Sequence, residues 1–257
     1  SADRGVFVRL LLDDFTVSDR TDKLLEINSH HNIEVRVYNP FVSRSGVSKW
    51  LNFAFDFDRL NRRMHNKTYI VDGTVAIVGG RNIGDEYFGT HEHLNFNDLG
   101  LFAVGPVVKQ VSKSFEDYWN SSWAIPIDQL VESHPDQFDR DRLQDPQQDE
   151  LSQPVENSSF NKIDIPESYF NKLIDDLVWA PATFVHDEPG TDDKEAYSNE
   201  PKRVARHLLQ LAEQSQQEIL IESAYFVLNE QVLKLVDQLR SRGVRIRALT
   251  NSMASND

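Results

Sequence analysis

Cysteine is absent from the 257 residues, and long apolar runs are absent as well. Without thiols the chain can form neither a disulfide nor a thiolate metal site, and the redox state of its compartment stays open. No apolar stretch approaches the roughly 20 residues that a membrane-spanning helix needs, and the residues after Ser1 do not have the pattern of a signal peptide. We therefore expect any membrane contact of this chain to be peripheral.

Basic residues are scarce overall, since the formal net charge is −14, but the acidic excess is local. Residues 132–200 hold 18 acidic and 5 basic residues, which leaves 23 acidic and 22 basic residues in the rest of the chain. Because that remainder is nearly neutral, the total charge does not exclude an anionic substrate.

The stretch from His65 to Asn82, HNKTYIVDGTVAIVGGRN, predicts a β-hairpin. Its centre is Asp-Gly, a strong signal for a two-residue turn, and runs rich in Val, Ile, Thr and Tyr flank it. We expect Asp72 to be structural, bonding to the backbone of the turn or to a neighbour. Gly79 and Gly80 are predicted to be structural as well.

A two-residue turn fixes the register of this hairpin, in which Lys67 faces Val78 and His65 faces Gly80. Side chains two positions apart share one face of a strand. His65, Lys67 and Asn82 are therefore predicted to point the same way. An imidazole, an ammonium and an amide beside bare glycine backbone suit a phosphate or another tetrahedral oxyanion.

The same residues resemble the motif of the phospholipase D superfamily, H-x-K-x4-D-x6-G-(G/S)-x-N. Chance would produce the full motif in a chain of this length with odds on the order of 10⁻⁵. Other segments resemble the bacterial cardiolipin synthase branch, in particular its C-type members. They are DRGVFVRLLLDD, RVYNPF, NRRMHNK, GRNIGDEYFG, VGPVVKQVSKSFEDYWNS and GVRIRALTNSMAS.

The resemblance implies a mechanism without a metal or another cofactor. His65 would attack phosphorus and form a phosphohistidine intermediate, while Lys67 and Asn82 would hold the nonbridging oxygens. Asp98 would bond the outer nitrogen of His65 and fix its tautomer, although a carboxylate at a strand edge facing water is the alternative. A second histidine, from a second motif, would protonate the leaving alcohol.

The resemblance also implies a substrate and a location. A phosphatidylglycerol-like phospholipid would be the substrate, at the periphery of a bacterial cell membrane, and no nucleic acid is expected. Transfer to a lipid hydroxyl would give cardiolipin, whereas transfer to water would be hydrolysis. Two alternatives stay open, namely a phosphodiesterase or nuclease with the same chemistry and a non-catalytic module that binds phosphate or lipid.

The predicted fold class is α/β, a phospholipase D-like mixed sheet flanked by helices. Strands at Val6–Asp13 and Ile33–Tyr38 with a helix at Thr21–His30 form a β-α-β unit. A second such unit is predicted near the end of the chain. The remaining predicted elements are the opening of a short helix at Ile83–Phe88, a strand at Leu94–Val104, helices at Gly105–Trp123, Ile163–Val178, Pro201–Ser215 and Asn229–Arg242, and strands at Glu218–Phe226 and Val244–Leu249.

Three regions are expected along the chain. Residues 1–131 form a first lobe that begins inside a domain, residues 132–200 an acidic linker with a helix, and residues 201–257 the start of a second lobe. Superfamily members of this type carry one motif in each lobe, and the second motif does not occur here. We therefore expect a fragment of a longer enzyme, inactive alone unless a homodimer mate supplies the second histidine.

A few further side chains are candidate substrate contacts. Arg62 and Arg63 precede the motif, where they would attract a phosphate headgroup, fix the hairpin through acidic neighbours or form a solvated edge. Tyr225 lies at the end of a predicted strand. The segment Trp50–Phe57 is either core or an apolar rim of the site, and His186 is either a headgroup contact or a surface histidine.

Overall fold

A computed structural model of the chain describes residues 1–18, 20–41, 63–84, 87–88, 96–133, 166–190, 202–224 and 229–251. Two compact units make up the chain, Ser1–Phe184 and Val185–Asp257. The predicted division into three regions stays a prediction, because residues 134–165 and 191–201 lie outside the described residues. Arg62, Tyr225 and the aromatic segment 50–57 lie outside them too.

Strands and helices alternate over much of the described chain. The strands are β1 (Val8–Asp13), β2 (Ile33–Tyr38), β3 (Thr68–Val71), β4 (Val75–Gly79), β5 (Gly100–Val104), β6 (Ala124–Pro126), β7 (Glu218–Glu222) and β8 (Arg245–Leu249). The helices are α1 (Asp14–Val17), α2 (Thr21–Asn28), α3 (Val107–Trp119), α4 (Ile127–Ser133), α5 (Glu167–Asp175), α6 (Arg203–Gln214) and α7 (Glu230–Ser241).

The first sheet is mixed, in agreement with the predicted α/β class. β1 and β2 run parallel and are joined through α1 and α2, as the predicted β-α-β unit requires, and β6 pairs antiparallel with β2. The alternating sequence of β2 buries Val35 and Val37 against Leu24 of α2 and Ile127 of α4. This packing anchors β1 and β2 to the core, and the residue that ends β1 is Asp13.

The second sheet contains the hairpin and has the antiparallel order β3-β4-β5. One of its faces packs on α3, where Ala76 of β4 is buried with Val108 and Val111. The strand β5 begins at Gly100, six residues later than predicted from Leu94. Asp98 therefore lies before the strand and not within it.

The turn of the hairpin shifts its register by one residue from the prediction. Asp72 and Gly73 have φ of 50° and 61°, the positive values that a type I′ turn needs, and the Thr74 amide donates to the Val71 carbonyl at 3.0 Å. The ladder nevertheless pairs Val71 with Val75, so Thr74 is one extra residue between the strands. The predicted pairing of Val71 with Thr74 is wrong.

The helix α3 ends at Trp119, four residues earlier than predicted. The side chain of Asn120 donates to the carbonyl of Glu116 at 2.9 Å, and the Ala124 amide donates to Ser121 at 3.2 Å. These bonds turn the chain out of the helix and lead it into β6 and α4, two elements that the sequence analysis missed.

The second unit contains the second predicted β-α-β arrangement. β7 and β8 run parallel, with α7 between them along the chain. Leu235 and Leu239 of α7 and Val244 form its buried core, with Leu209 of α6 and Ile219 of β7 packed against them. In the described parts of both units, no helix is both long and apolar enough to cross a membrane.

Candidate active site

The structure brings His65 and Lys67 together in the extended segment that leads into β3. The Lys67 Nζ lies 3.1 Å from the His65 Nδ1 and donates to the His65 carbonyl oxygen at 2.9 Å. His65 is exposed, so its ring is accessible to a ligand. The two side chains that the motif predicts to act on one phosphate therefore already touch.

The contact determines how the imidazole is protonated. An ammonium has only donors, so the Nδ1 of His65 must accept, and the proton of the neutral ring then sits on Nε2. The pKa of His65 is lowered, first by the charge of Lys67, then by burial and by Arg63, while Asp13 opposes the shift. A pKa below the usual 6.5 leaves the imidazole neutral at pH 7.

The ammonium of Lys67 is itself partly desolvated. Burial lowers the pKa of Lys67, and the carboxylates of Asp13 and Asp98 oppose that shift. The charges of the two acids therefore partly offset the effect of burial on the Lys67 ammonium.

Asp13 is a member of the site that the sequence analysis missed. Its Oδ1 forms an ion pair with the Arg63 guanidinium, and its Oδ2 accepts from the backbone amide of Met64 at 2.8 Å. For Arg63 this matches one of the three predicted alternatives, the fixing of the hairpin through an acidic neighbour. The sequence signal for Asp13 was an acid at the end of an apolar run, VFVRLLLD.

Asp98 does not bond His65 as predicted. Its Oδ1 accepts from the next backbone amide, Leu99, at 2.8 Å, and among the described residues no hydrogen bond joins it to His65. Its Oδ2 is buried without a hydrogen-bond partner in the described part of the chain. The reason is its position before β5, where the carboxylate lies over Gly80 and acts on Lys67 through its charge.

The two glycines of the motif permit close approaches. A Cβ on Gly80 would lie 3.1 Å from both carboxylate oxygens of Asp98. A Cβ on Gly79 would lie 3.2 Å from the Cα of Gly100 on β5. Gly80 therefore leaves room for Asp98, whereas the predicted register had placed Gly80 opposite His65.

Asn82 is not held against the histidine by the hairpin register. The Gly79 amide donates to the Lys67 carbonyl at 3.2 Å, so Gly79 replaces Val78 as the neighbour of Lys67. The predicted register, which put Asn82 on the face of His65, is therefore wrong. The side-chain amide of Asn82 instead donates to the Tyr87 hydroxyl at 3.1 Å.

Comparison with known families identifies the class. A family model described as cardiolipin synthase, PLD-like domain, matches residues 1–119. These residues contain the strands β1 to β5 and the whole motif. Together with the mixed sheet and the paired His65 and Lys67, this match defines a phospholipase D-like protein. Residues 1–119 belong to the phospholipase D superfamily.

The individual relatives of this chain include cardiolipin synthases. The chain is 38% identical to cardiolipin synthase C of Escherichia coli (strain K12) over 262 residues, which cover 100% of this chain and 54% of that protein. It is 33% identical to an uncharacterized protein of Helicobacter pylori (strain J99), again over 100% of this chain and 51% of the relative. A shorter match, 37% identical over 98 residues, covers 37% of this chain and 19% of cardiolipin synthase A of Pseudomonas putida (strain GB-1). The chain spans about half the length of the two relatives that it matches throughout.

Proposed function

We propose that this chain is the motif-bearing lobe of a cardiolipin synthase-like phosphatidyltransferase that works through a phosphohistidine. The observation that carries the proposal is the 3.1 Å contact between the Lys67 Nζ and the His65 Nδ1 within the complete motif. This contact supports a nucleophile and a cation that act on one phosphodiester. The similarity to a cardiolipin synthase over the whole chain supports a phospholipid as substrate.

The first step is a displacement at phosphorus. A ring nitrogen of His65 forms the P–N bond, and the P–O bond to the leaving alcohol breaks, so the phosphatidyl group is held on the histidine. The leaving alkoxide takes a proton from a general acid. In the second step the hydroxyl of an acceptor lipid attacks phosphorus, the P–N bond breaks, and the acceptor's proton passes to the same group.

Lys67 has two successive roles in this scheme. Before substrate binds, its ammonium occupies the Nδ1 lone pair of His65. A phosphodiester is a stronger acceptor because it is charged, so it draws the ammonium to its nonbridging oxygens, where charge develops during the reaction. Substrate binding thus releases the nucleophile. Asn82 is proposed to assist at the same oxygens after turning from Tyr87.

The general acid would be a second histidine of the same motif type, contributed by another lobe or by a second copy of the chain. We further propose that the substrate is presented at a membrane surface, so that the protein acts peripherally. Hydrolysis in place of transfer requires only that water replaces the acceptor hydroxyl.

The test compares His65→Asn with His31→Asn, an exposed histidine on the turn after α2, in the longest natural form of the protein. Turnover is measured by mass spectrometry with phosphatidylglycerol vesicles and, separately, with single-stranded DNA. We expect His65→Asn to lose at least about 10³-fold in turnover on vesicles, and His31→Asn to keep it. An acid-labile phosphatidyl group on His65 is expected in the unsubstituted protein.

Three results would contradict the proposal. Turnover of DNA in preference to lipid would favour a nuclease-type phosphodiesterase. Binding of lipid without turnover would favour a non-catalytic module. Full turnover by the His65→Asn variant would exclude His65 as the nucleophile.

A further inference from the structure

A carboxylate far away in sequence holds the residues immediately before His65. Asp13 ends β1, a strand fixed by its pairing with β2, and its side chain is only 11% exposed. One of its oxygens is paired with the Arg63 guanidinium and the other accepts from the Met64 amide. Both contacts join residues that are 50 or more positions apart in sequence, and their partners Arg63 and Met64 lie just before the histidine.

The segment that carries His65 is held at both ends by hydrogen bonds, one to a side chain and one to the backbone. On one side the Met64 amide bonds to Asp13 at 2.8 Å, and on the other the Lys67 carbonyl accepts from Gly79 at 3.2 Å. The Met64 side chain also packs against the buried cluster of Tyr38, Tyr118 and Ala124. The backbone of His65 is thus held between the first sheet and the hairpin.

We propose that Asp13 is a positioning residue for His65, because its carboxylate holds Arg63 and the Met64 amide and thereby fixes the segment that carries the nucleophile. The description of His65 as a nucleophile rests on the function proposed above. The positioning of the side chain itself does not depend on that function and can be measured separately.

The charges around His65 give Asp13 a second effect. Lys67 and Arg63 lower the pKa of His65, and Asp13 raises it. Asp98 acts on Lys67 and so reaches His65 only through it. Loss of the Asp13 charge therefore moves the pKa of His65 further down, in the direction that Lys67 already imposes.

Asp14 provides a matched control, since it is the next residue along and is also a buried acid. Its Oδ2 accepts from the backbone amide of Phe41 at 2.7 Å, and it does not contribute to the pKa shift of His65. Asp13→Asn changes the acid that ends β1 and contacts Arg63 and Met64, whereas Asp14→Asn changes the acid that begins α1 and contacts the Phe41 amide.

The experiment uses the longest natural form of the protein. The pKa of His65 is followed by NMR, with His65→Asn assigning the signal, and the exchange of the Met64 amide is measured in the same samples. Asp13→Asn is expected to lower the pKa of His65, and Asp13→Ala to speed Met64 exchange about tenfold through loss of a charged hydrogen bond. Asp14→Asn leaves both values unchanged.

Turnover on phosphatidylglycerol vesicles is measured in parallel. A shifted His65 segment is expected to lower kcat about 10- to 100-fold in Asp13→Asn while KM stays within about twofold. If Asp13→Ala does not fold, Asp13→Asn carries the test through the pKa and kcat. Unchanged Met64 exchange in Asp13→Ala, or an unchanged kcat in Asp13→Asn, overturns the positioning role, whereas full turnover by His65→Asn overturns the proposed function and leaves the exchange result standing.

Discussion

At the level of single residues, the contact between His65 and Lys67 organises the site. The ammonium of Lys67, which is proposed to hold a phosphate, lies 3.1 Å from the Nδ1 of His65. The pKa of His65 reports the contact with Lys67, because the charge of Lys67 is the largest cause of the lowered pKa. Any anion that takes the ammonium away must therefore change the titration of the histidine.

Inorganic phosphate is expected to raise the pKa of His65. Bound phosphate neutralises the charge of Lys67 and also favours the imidazolium, so both effects act in the same direction. Lys67→Met should raise the pKa without phosphate and abolish the response to it, whereas Lys109→Met, on the exposed surface of α3, should change neither. An NMR titration of His65 measures both values, and an unmoved pKa at saturating phosphate contradicts a phosphate site.

The pH dependence of turnover follows from the same shift. In the proposed mechanism His65 attacks only when neutral, and its pKa lies below the usual 6.5. The acid limb of kcat/KM is therefore expected below pH 6.5, with turnover lost as the pH falls through the pKa of free His65. An acid limb above this value, in a pH–rate profile on vesicles, contradicts the assignment of His65.

At the scale of elements, the hairpin depends on the close approach of β4 and β5. Gly79 pairs with Gly100 across the two strands, and the absence of both side chains lets the backbones come together. The two glycines are not equivalent, however. A Cβ on Gly79 meets the backbone of Gly100 at 3.2 Å, whereas a Cβ on Gly100 has its nearest neighbour, the carbonyl of Val78, at 3.7 Å.

Gly79→Ala is expected to be more destabilising than Gly100→Ala. The first substitution forces the strands apart, because backbone atoms cannot move aside alone, and costs about 1–3 kcal/mol of unfolding free energy. The second makes ordinary contacts and should cost under about 1 kcal/mol. Urea denaturation gives both free energies, and equal losses for the two variants would show that the strands are not closely packed there.

At the scale of the whole molecule, the chain holds one complete motif in its first unit and a second β-α-β arrangement in its second unit. The acidic excess lies in residues 132–200, so it is separate in sequence from the motif. A reaction that needs a nucleophile and a general acid from two motifs must therefore obtain the second motif from elsewhere.

The 257-residue chain alone is expected to be inactive as a monomer on phosphatidylglycerol vesicles. Its oligomeric state is determined by light scattering in the buffer used for the turnover measurement. If a dimer is active, mixing it with His65→Asn chains should reduce turnover more than simple dilution does, because each mixed pair lacks one histidine. Activity from a monomer contradicts the requirement for two motifs.

The sequence by itself determined the features that depend on local pattern. Hydrophobic periodicity gave both β-α-β units, since burial of alternate residues needs no knowledge of distant partners. The spacing of the motif gave His65 and Lys67, which are two residues apart on one extended segment and therefore meet in any fold that keeps it extended.

The tertiary structure decided what depends on distant partners. The extra residue Thr74 shifted the hairpin register, because pairing of β4 with β5 and packing of Ala76 on α3 constrain the ladder beyond the turn. Asp98 acts on Lys67 and not on His65, because β5 begins only at Gly100. Asp13 belongs to the site although it lies 51 positions before Met64 in sequence, since only the folded core brings the end of β1 to the segment before His65.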